Sequence, residues 1–211
     1  MKKVAICGVS GVVGQETLRS LEALNFPVQT LTVFASSRSA GKKIQTPFGV
    51  SEIKEFSLEA CRDFDFVFLC ISGEFSKKFA RALAQQNDVV IDNSSAFRYE
   101  KDVPLIVPEI NAQEAQGASL IANPNCTTAI LAVALYPIYQ TFGIERVIVS
   151  TYQATSGGGK AAMDELRNET QNYLEEKPVS HQKFAHPIPF NLIPAIDVFQ
   201  SNGYTKEEMK V

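Results

Sequence analysis

Tryptophan is absent from this 211-residue chain and histidine occurs only twice. So little imidazole argues against a polyhistidine metal centre and leaves few candidates for a proton carrier near neutral pH. The four cysteines, Cys7, Cys61, Cys70 and Cys126, form no CxxC pair and no metal-ligand spacing. That excludes a zinc knuckle and a disulfide framework, and it points to free thiols in a reducing, cytoplasmic compartment with no metal site. A basic block is also missing: 20 Lys and Arg face 23 Asp and Glu, so nucleic acid is not an expected partner. Long apolar runs are missing too. Residues 4–13 are interrupted by Gly8 and Gly11, and Gln15-Glu16 follow without a small-residue cleavage site, which excludes a signal peptide. Residues 115–144 carry no charge, yet Asn123-Pro124-Asn125 and Pro137 split them. Only about ten apolar residues remain in a row, too few to span a bilayer, so no membrane partner is expected.

What is present alternates between strand and helix. Residues 2–9 read as an apolar strand running into Gly8-Val9-Ser10-Gly11-Val12-Val13-Gly14, and residues 15–24 place Leu18, Leu21 and Leu24 at helical spacing. Residues 31–35 form a second strand, completing a βαβ crossover, and residues 64–71 are an almost continuous apolar run of the kind buried on both faces of a parallel sheet. A crossover helix at 75–85 and short strands at 89–91, 105–107 and 120–122 follow, so strand ends gather near Ser72, Asn93 and Asn123. Beyond Cys126 the pattern changes to a buried helix at 127–139, a strand at 147–154, an amphipathic helix at 161–174 and a proline-rich excursion at 177–191. The predicted fold class is α/β: a Rossmann-like doubly wound domain over 1–125 and an incomplete α+β domain over 126–211.

Gly8, Gly11 and Gly14 lie between a strand and a helix, where glycines permit a tight turn and let backbone N–H groups approach a pyrophosphate at a helix N-terminus. The spacing is not the plain GxGxxG. At the end of the second strand, where an NAD enzyme carries an acid for the ribose 2′-hydroxyl, the chain reads Ser36-Ser37-Arg38-Ser39-Ala40-Gly41-Lys42. An arginine among hydroxyls there favours NADP over NAD, the plainer alternative being a solvated basic loop. Asn123-Pro124-Asn125-Cys126-Thr127-Thr128 sets one cysteine between a tight turn and the start of an apolar helix. Amide N–H groups at a helix start favour thiolate and supply donors for an oxyanion on a carbonyl attacked by that sulfur. The bland fate, a buried inert thiol, suits Cys7, Cys61 and Cys70 better.

These blocks, together with Asp92-Asn93-Ser94-Ser95-Ala96-Phe97-Arg98, Val107-Pro108-Glu109-Ile110-Asn111 and Gln153-Ala154-Thr155-Ser156-Gly157, resemble aspartate-semialdehyde dehydrogenase in order and spacing along the whole chain. The resemblance implies reversible, NADP-dependent interconversion of aspartate semialdehyde and β-aspartyl phosphate, a step toward lysine, threonine and methionine, in a homodimer whose second domain is catalytic and dimerising. It implies Cys126 as nucleophile, Gln153 orienting the acyl group, Arg98 binding phosphate and Asn125 helping to form the oxyanion site. Gly8, Ser10, Gly11, Val12, Val13, Gly14, Ser37, Arg38, Ser39, Ser72, Ser156 and Gly157 would line the cofactor. Without the resemblance, Arg98 reads as a surface ion pair with Glu100 or Asp102.

The chain departs from the family in its proton carrier. His181 and His186 lie in the proline-rich excursion, outside the Arg-Val-Pro-Val and Gly-His-Ser-Glu contexts of the family's catalytic histidine, and both read as loop residues. The family's substrate-carboxylate arginine and a phosphate-binding lysine also have no counterpart. Thr205-Lys206-Glu207-Glu208 has the form of a capping box, which starts a helix, so the sequence is expected to be truncated at its C-terminus relative to the family. Two alternatives follow: a catalytically silent NADP-binding or dimerising fragment, and an N-acetyl-glutamyl-phosphate reductase-like enzyme, against which the Asn125-Cys126 pair argues.

Overall fold

Alternate side chains of the first strand leave in opposite directions, and both directions lead into a core. In the computed structural model, which describes residues 1–211, Val4 and Ile6 pack with Leu18, Leu21 and Val33, while Ala5 and Cys7 pack with Val67, Leu69, Ala80 and Leu83. A strand covered on both faces must be apolar at successive positions, which is why residues 4–7 carry no polar side chain. The sheet has seven strands: β1 (Lys2–Cys7), β2 (Val28–Ala35), β3 (Lys43–Thr46), β4 (Gly49–Glu55), β5 (Phe66–Leu69), β6 (Val89–Asp92) and β7 (Leu120–Ala122). Their order is β3-β4-β2-β1-β5-β6-β7, parallel throughout except for the β3–β4 hairpin. Helix α1 (Val12–Ala23) carries the chain from β1 to β2, and α2 (Gly73–Ala84) from β5 to β6.

Topology fixes where a ligand can sit. The chain leaves β1 toward β2 and β4, then returns to build β5, β6 and β7 on the other side, so the winding reverses between β1 and β5. Open parallel sheets bind ligands outside the carboxyl ends of strands at such a reversal. Here those ends are Cys7 and Leu69, which are paired in register.

Three expected elements differ. Residues 105–107 make one isolated bridge, Leu105 to Ala122, rather than a strand. Pro104 and Pro108 bracket them without N–H groups, and Pro108 instead opens the short helix α3 (Pro108–Asn111). Residues 147–154 form no strand, and Ile148 and Tyr152 are 88% and 84% exposed, since a lone segment has no ladder to join. The apolar helix after the tight turn exists as α4 (Cys126–Phe142), but none of its residues is buried, and Ile130 and Phe142 are 74% and 82% exposed.

By its contacts the chain divides into Met1–Gly143 and Ile144–Val211, later than the boundary after residue 125 read from the sequence, so α4 lies with the first unit. The second unit is built on α5 (Lys160–Leu174). The Glu165 carboxylate accepts N–H bonds from Gln182, Lys183 and Phe184 at 2.7–3.1 Å, and the buried Glu169 accepts one from Ile188 at 2.9 Å. Those bonds hold the proline-rich excursion to α5. The capping box forms as read, Thr205 N–H to Glu208 at 2.6 Å and Glu208 N–H to Thr205 at 3.2 Å, and opens a single 3₁₀ turn at Glu208–Lys210.

Three thiols belong to the first unit's interior. Cys7 and Cys61 are 1% and 0% exposed with their sulfurs 3.9 Å apart, and that contact together with burial holds the Cys7 thiol well above the ordinary range. Burial pushes Cys70 up to about 11 from an ordinary value of 9.0. A raised folded-state value means that the protonated thiol's contribution is intact below the ordinary range and is lost as pH climbs through the folded value. The unfolding free energy from urea titrations is therefore expected to fall between pH 9 and about 11, by on the order of 2–3 kcal/mol for Cys70. Cys70→Ala should flatten that part of the curve, and an unchanged slope would refute the assignment.

Candidate active site

Glycine geometry builds the first corner of the site. Gly8 follows β1 with φ +89°, and a Cβ placed on it would stand 2.3 Å from the Cys70 carbonyl oxygen at the end of β5. Gly14, in the first turn of α1, would put a Cβ 2.4 Å from the Gly8 carbonyl oxygen. These two positions let strand, turn and helix close on one another at the winding reversal. Gly11 is the N-cap, no side chain caps the helix, and its N–H donates to the Gly8 carbonyl at 3.0 Å. The N–H groups of Val12, Val13 and Gly14 therefore open the helix where an anion would be received. Ser10 and Val13 are exposed beside them. The Gln15 amide, which no motif in the sequence singles out, donates to the Val9 carbonyl at 2.6 Å and ties the turn to the start of the helix.

At the end of β2, Ser39 and Ala40 N–H groups both donate to the Ser36 carbonyl, forming a tight loop that leaves Ser37 and Arg38 exposed and Ser39 half-buried. Ser72, just past β5, caps α2: its hydroxyl accepts from the Phe75 N–H at 3.4 Å.

The thiol corner stands at the carboxyl ends of β6 and β7. Asn125 is the N-cap of α4 and its side-chain oxygen accepts from the Thr128 N–H at 3.1 Å, so Cys126 is the first helical residue. Its sulfur is exposed, 4.0 Å from the Thr127 hydroxyl, and the other three cysteines are buried or half-buried. Arg98 does not pair with Asp102, whose carboxylate takes both ends of the Arg81 guanidinium at 2.6 and 3.0 Å. Arg98 instead donates from Nε to the Asn123 carbonyl at 2.8 Å and from Nη2 to the Asn93 carbonyl at 3.0 Å. At the end of β6 the fully buried Asp92 accepts the Ser76 hydroxyl at 2.7 Å, the Ser94 N–H at 3.0 Å and the Ser94 hydroxyl at 2.8 Å. Polar residues directly following three apolar strands were the available signal for this network, but the sequence does not say which side chains meet.

The remaining candidates lie in the second unit. Gln153 is half-buried and donates to Glu207 at 3.3 Å, while Ser156 and Gly157 are exposed on a 3₁₀ turn at Thr155–Gly158. An apolar groove of about 630 Å³ runs between that turn and α5, past Met163, Leu166 and Leu174. His181 and His186 are exposed in the excursion. No three His, Cys, Asp or Glu residues are grouped to hold a metal ion, and no helix is long and apolar enough to cross a membrane.

Two family models match the chain: the semialdehyde dehydrogenase NAD binding domain over residues 3–118 and the semialdehyde dehydrogenase dimerisation domain over residues 135–211. The chain is 45% identical to the aspartate-semialdehyde dehydrogenase of Aquifex aeolicus, across 99% of this chain and 63% of that protein. It superposes on the crystal structure of aspartate semialdehyde dehydrogenase II from Vibrio cholerae, solved with ASA, with a TM-score of 0.93 and 42% identity, over 100% of this chain and 63% of that one. A more distant likeness, TM-score 0.57 and 26% identity over 68% of this chain and 48% of that one, is to the Candida albicans enzyme solved with NADP. The chain thus spans less than two thirds of the length of the first two.

Proposed function

The chain belongs to the aspartate-semialdehyde dehydrogenase family, and from that premise we propose that it carries the cofactor-binding and thiol-bearing part of an NADP-dependent enzyme interconverting L-aspartate 4-semialdehyde and L-aspartyl 4-phosphate. The observation that carries this reading is Cys126, the exposed thiol among four, standing at the first residue of α4 where the sheet's carboxyl ends meet.

The turn at Gly8 and Gly14 fits a dinucleotide, because its backbone leaves no room for a Cβ and its helix start is uncapped by any side chain. Gly8, Ser10, Gly11, Val12, Val13 and Gly14 would hold the pyrophosphate, with Ser37, Arg38 and Ser39 at the 2′-phosphate and Ser72, Ser156 and Gly157 along the remainder. A nicotinamide cofactor bound there would supply the hydride acceptor for the oxidative direction. Cys126 forms the bond to the substrate's carbonyl carbon, and backbone N–H groups of the α4 start with the Asn125 amide steady the oxygen that gains charge. Gln153 orients the acyl group. Phosphate held by Arg98 attacks the thioester carbonyl carbon, the carbon–sulfur bond breaks, and the thiolate of Cys126 leaves. In this reading residues 1–125 bind the cofactor and residues 126–211 serve catalysis and dimerisation, with a second copy of the chain as partner in a reducing cytoplasm.

The test is mass analysis of the chain after exposure to the semialdehyde with NADP, in the absence of phosphate. An acyl adduct on Cys126 is expected. NADP binding with no adduct would identify a silent cofactor-binding fragment, and an adduct only with the N-acetylglutamate analogue would move the chain to that neighbouring activity. For the cofactor, Arg38→Ala should weaken NADP binding by about tenfold to a hundredfold while leaving NAD binding within about twofold, as expected for loss of a charge-assisted contact. Equal losses for both dinucleotides would make Arg38 a general surface charge.

A further inference from the structure

Three strand ends in this fold are tied together by one side chain, and that side chain is Asn93. Its backbone N–H and its amide nitrogen both donate to the Leu69 carbonyl at the end of β5, at 3.1 and 3.2 Å. Its side-chain oxygen accepts from the Asn123 amide, just past β7, at 2.9 Å, and its carbonyl accepts from Arg98 at 3.0 Å. Asn93 itself follows Asp92, the last residue of β6, whose buried carboxylate pins the Ser94 backbone and hydroxyl. Asn123 is in turn three residues before Cys126, and its carbonyl accepts the second Arg98 bond.

We infer that Asn93 is a positioning residue for the nucleophile: through Asn123 it sets the 123–125 turn that presents Cys126 at the start of α4, and through its carbonyl it sets the Arg98 guanidinium in the same frame. The geometry suits that role better than a purely structural one. Asn93 and Arg98 are half-buried and Asn123 is exposed, so their side-chain bonds bury little area; the backbone ladder already carries Asn93 N–H to Leu69 and Asn123 N–H to Asp92 at 2.8 Å, and what the side chains add to it is the orientation of the Asn123 amide and of the Arg98 guanidinium. An amide is also suited to the task, because it offers a donor to Leu69 and an acceptor to Asn123 from one planar group.

The inference rests on Cys126 being the nucleophile, and one experiment separates the two. The 211-residue chain is alkylated with iodoacetamide in its folded state across the neutral to alkaline range, and the rate at Cys126 is read by mass. Wild-type alkylation no faster than that of a free cysteine would sink the nucleophile reading itself. If the wild type is fast, Asn93→Ala and Asn123→Ala should each slow Cys126 by about tenfold or more and move its rate–pH profile. The double variant should be no slower than either single one, since both remove the same side-chain pair. Unchanged rates and profile, or additive losses, would overturn the positioning role. Loss of cooperative melting in both single variants would overturn it as well, by assigning the pair to the scaffold.

Discussion

Cys126→Ser is expected to bind NADP as the parent chain does and to form no acyl adduct with the semialdehyde, a loss on the order of 10³-fold or more. The hydroxyl retains the shape of the thiol but is far less ionised near neutral pH, so it cannot take over the attack on a carbonyl carbon. Folding should hardly change, because the side chain is exposed and its sulfur makes only a long approach, 4.0 Å, to the Thr127 hydroxyl; a shift within about 0.5 kcal/mol is the norm for such surface changes. The measurement is intact mass with peptide mapping, set beside a thermal melt. Adduct persisting at wild-type level in Cys126→Ser would transfer the chemistry elsewhere, yet Cys7 and Cys61 are 1% and 0% exposed and Cys70 is half-buried with its thiol pushed up to about 11. None of the three is placed to accept it.

Gly8→Ala should be the most damaging single methyl group in the first unit. At φ +89° an L side chain is strained, and the added Cβ would meet the Cys70 carbonyl oxygen at 2.3 Å and Ile71 Cγ2 at 2.6 Å. The oxygen belongs to the backbone of a central strand's end and cannot rotate away. A destabilisation of at least about 3 kcal/mol is expected, which for a chain of this size lowers the melting midpoint by about 10 °C. NADP binding should be lost with it, since the turn must move to admit the methyl. Gly157→Ala is the matched control: nothing lies within 4 Å of its Cβ position, so its melt should be unchanged. Equal melts for the two variants would show that the turn is slack and would remove the steric case for a dinucleotide there.

Much of the first unit was legible because its determinants are local. The run at residues 4–7 had to be a strand buried on both faces, and Gly8, Gly11 and Gly14 had to be a turn into a helix, because φ and the space at a Cβ act on neighbours in the chain. The thiol's place at a helix start was legible for the same reason, as Asn125 caps α4 three residues back from Thr128. The β3–β4 hairpin carried too weak an alternation to be read. The expected strand at 147–154 failed because β propensity is only an offer of hydrogen bonds, and a ladder needs a neighbour to accept it.

Partner choice at long range was not legible. Arg98, Glu100 and Asp102 are adjacent in sequence and suggest an ion pair, but Arg81 reaches Asp102 from α2, and Arg98 turns to two backbone carbonyls 5 and 25 residues away. By itself the sequence determined the doubly wound alternation, the glycine turn into α1 and which cysteine heads a helix, each set by short-range sterics and periodicity. Only the tertiary structure decided that Cys7 and Cys61 bring their sulfurs to 3.9 Å of each other, and that Asn93 joins the ends of β5, β6 and β7. Burial and hydrogen-bond pairing depend on which distant segments arrive at a point, and one-dimensional spacing does not encode that.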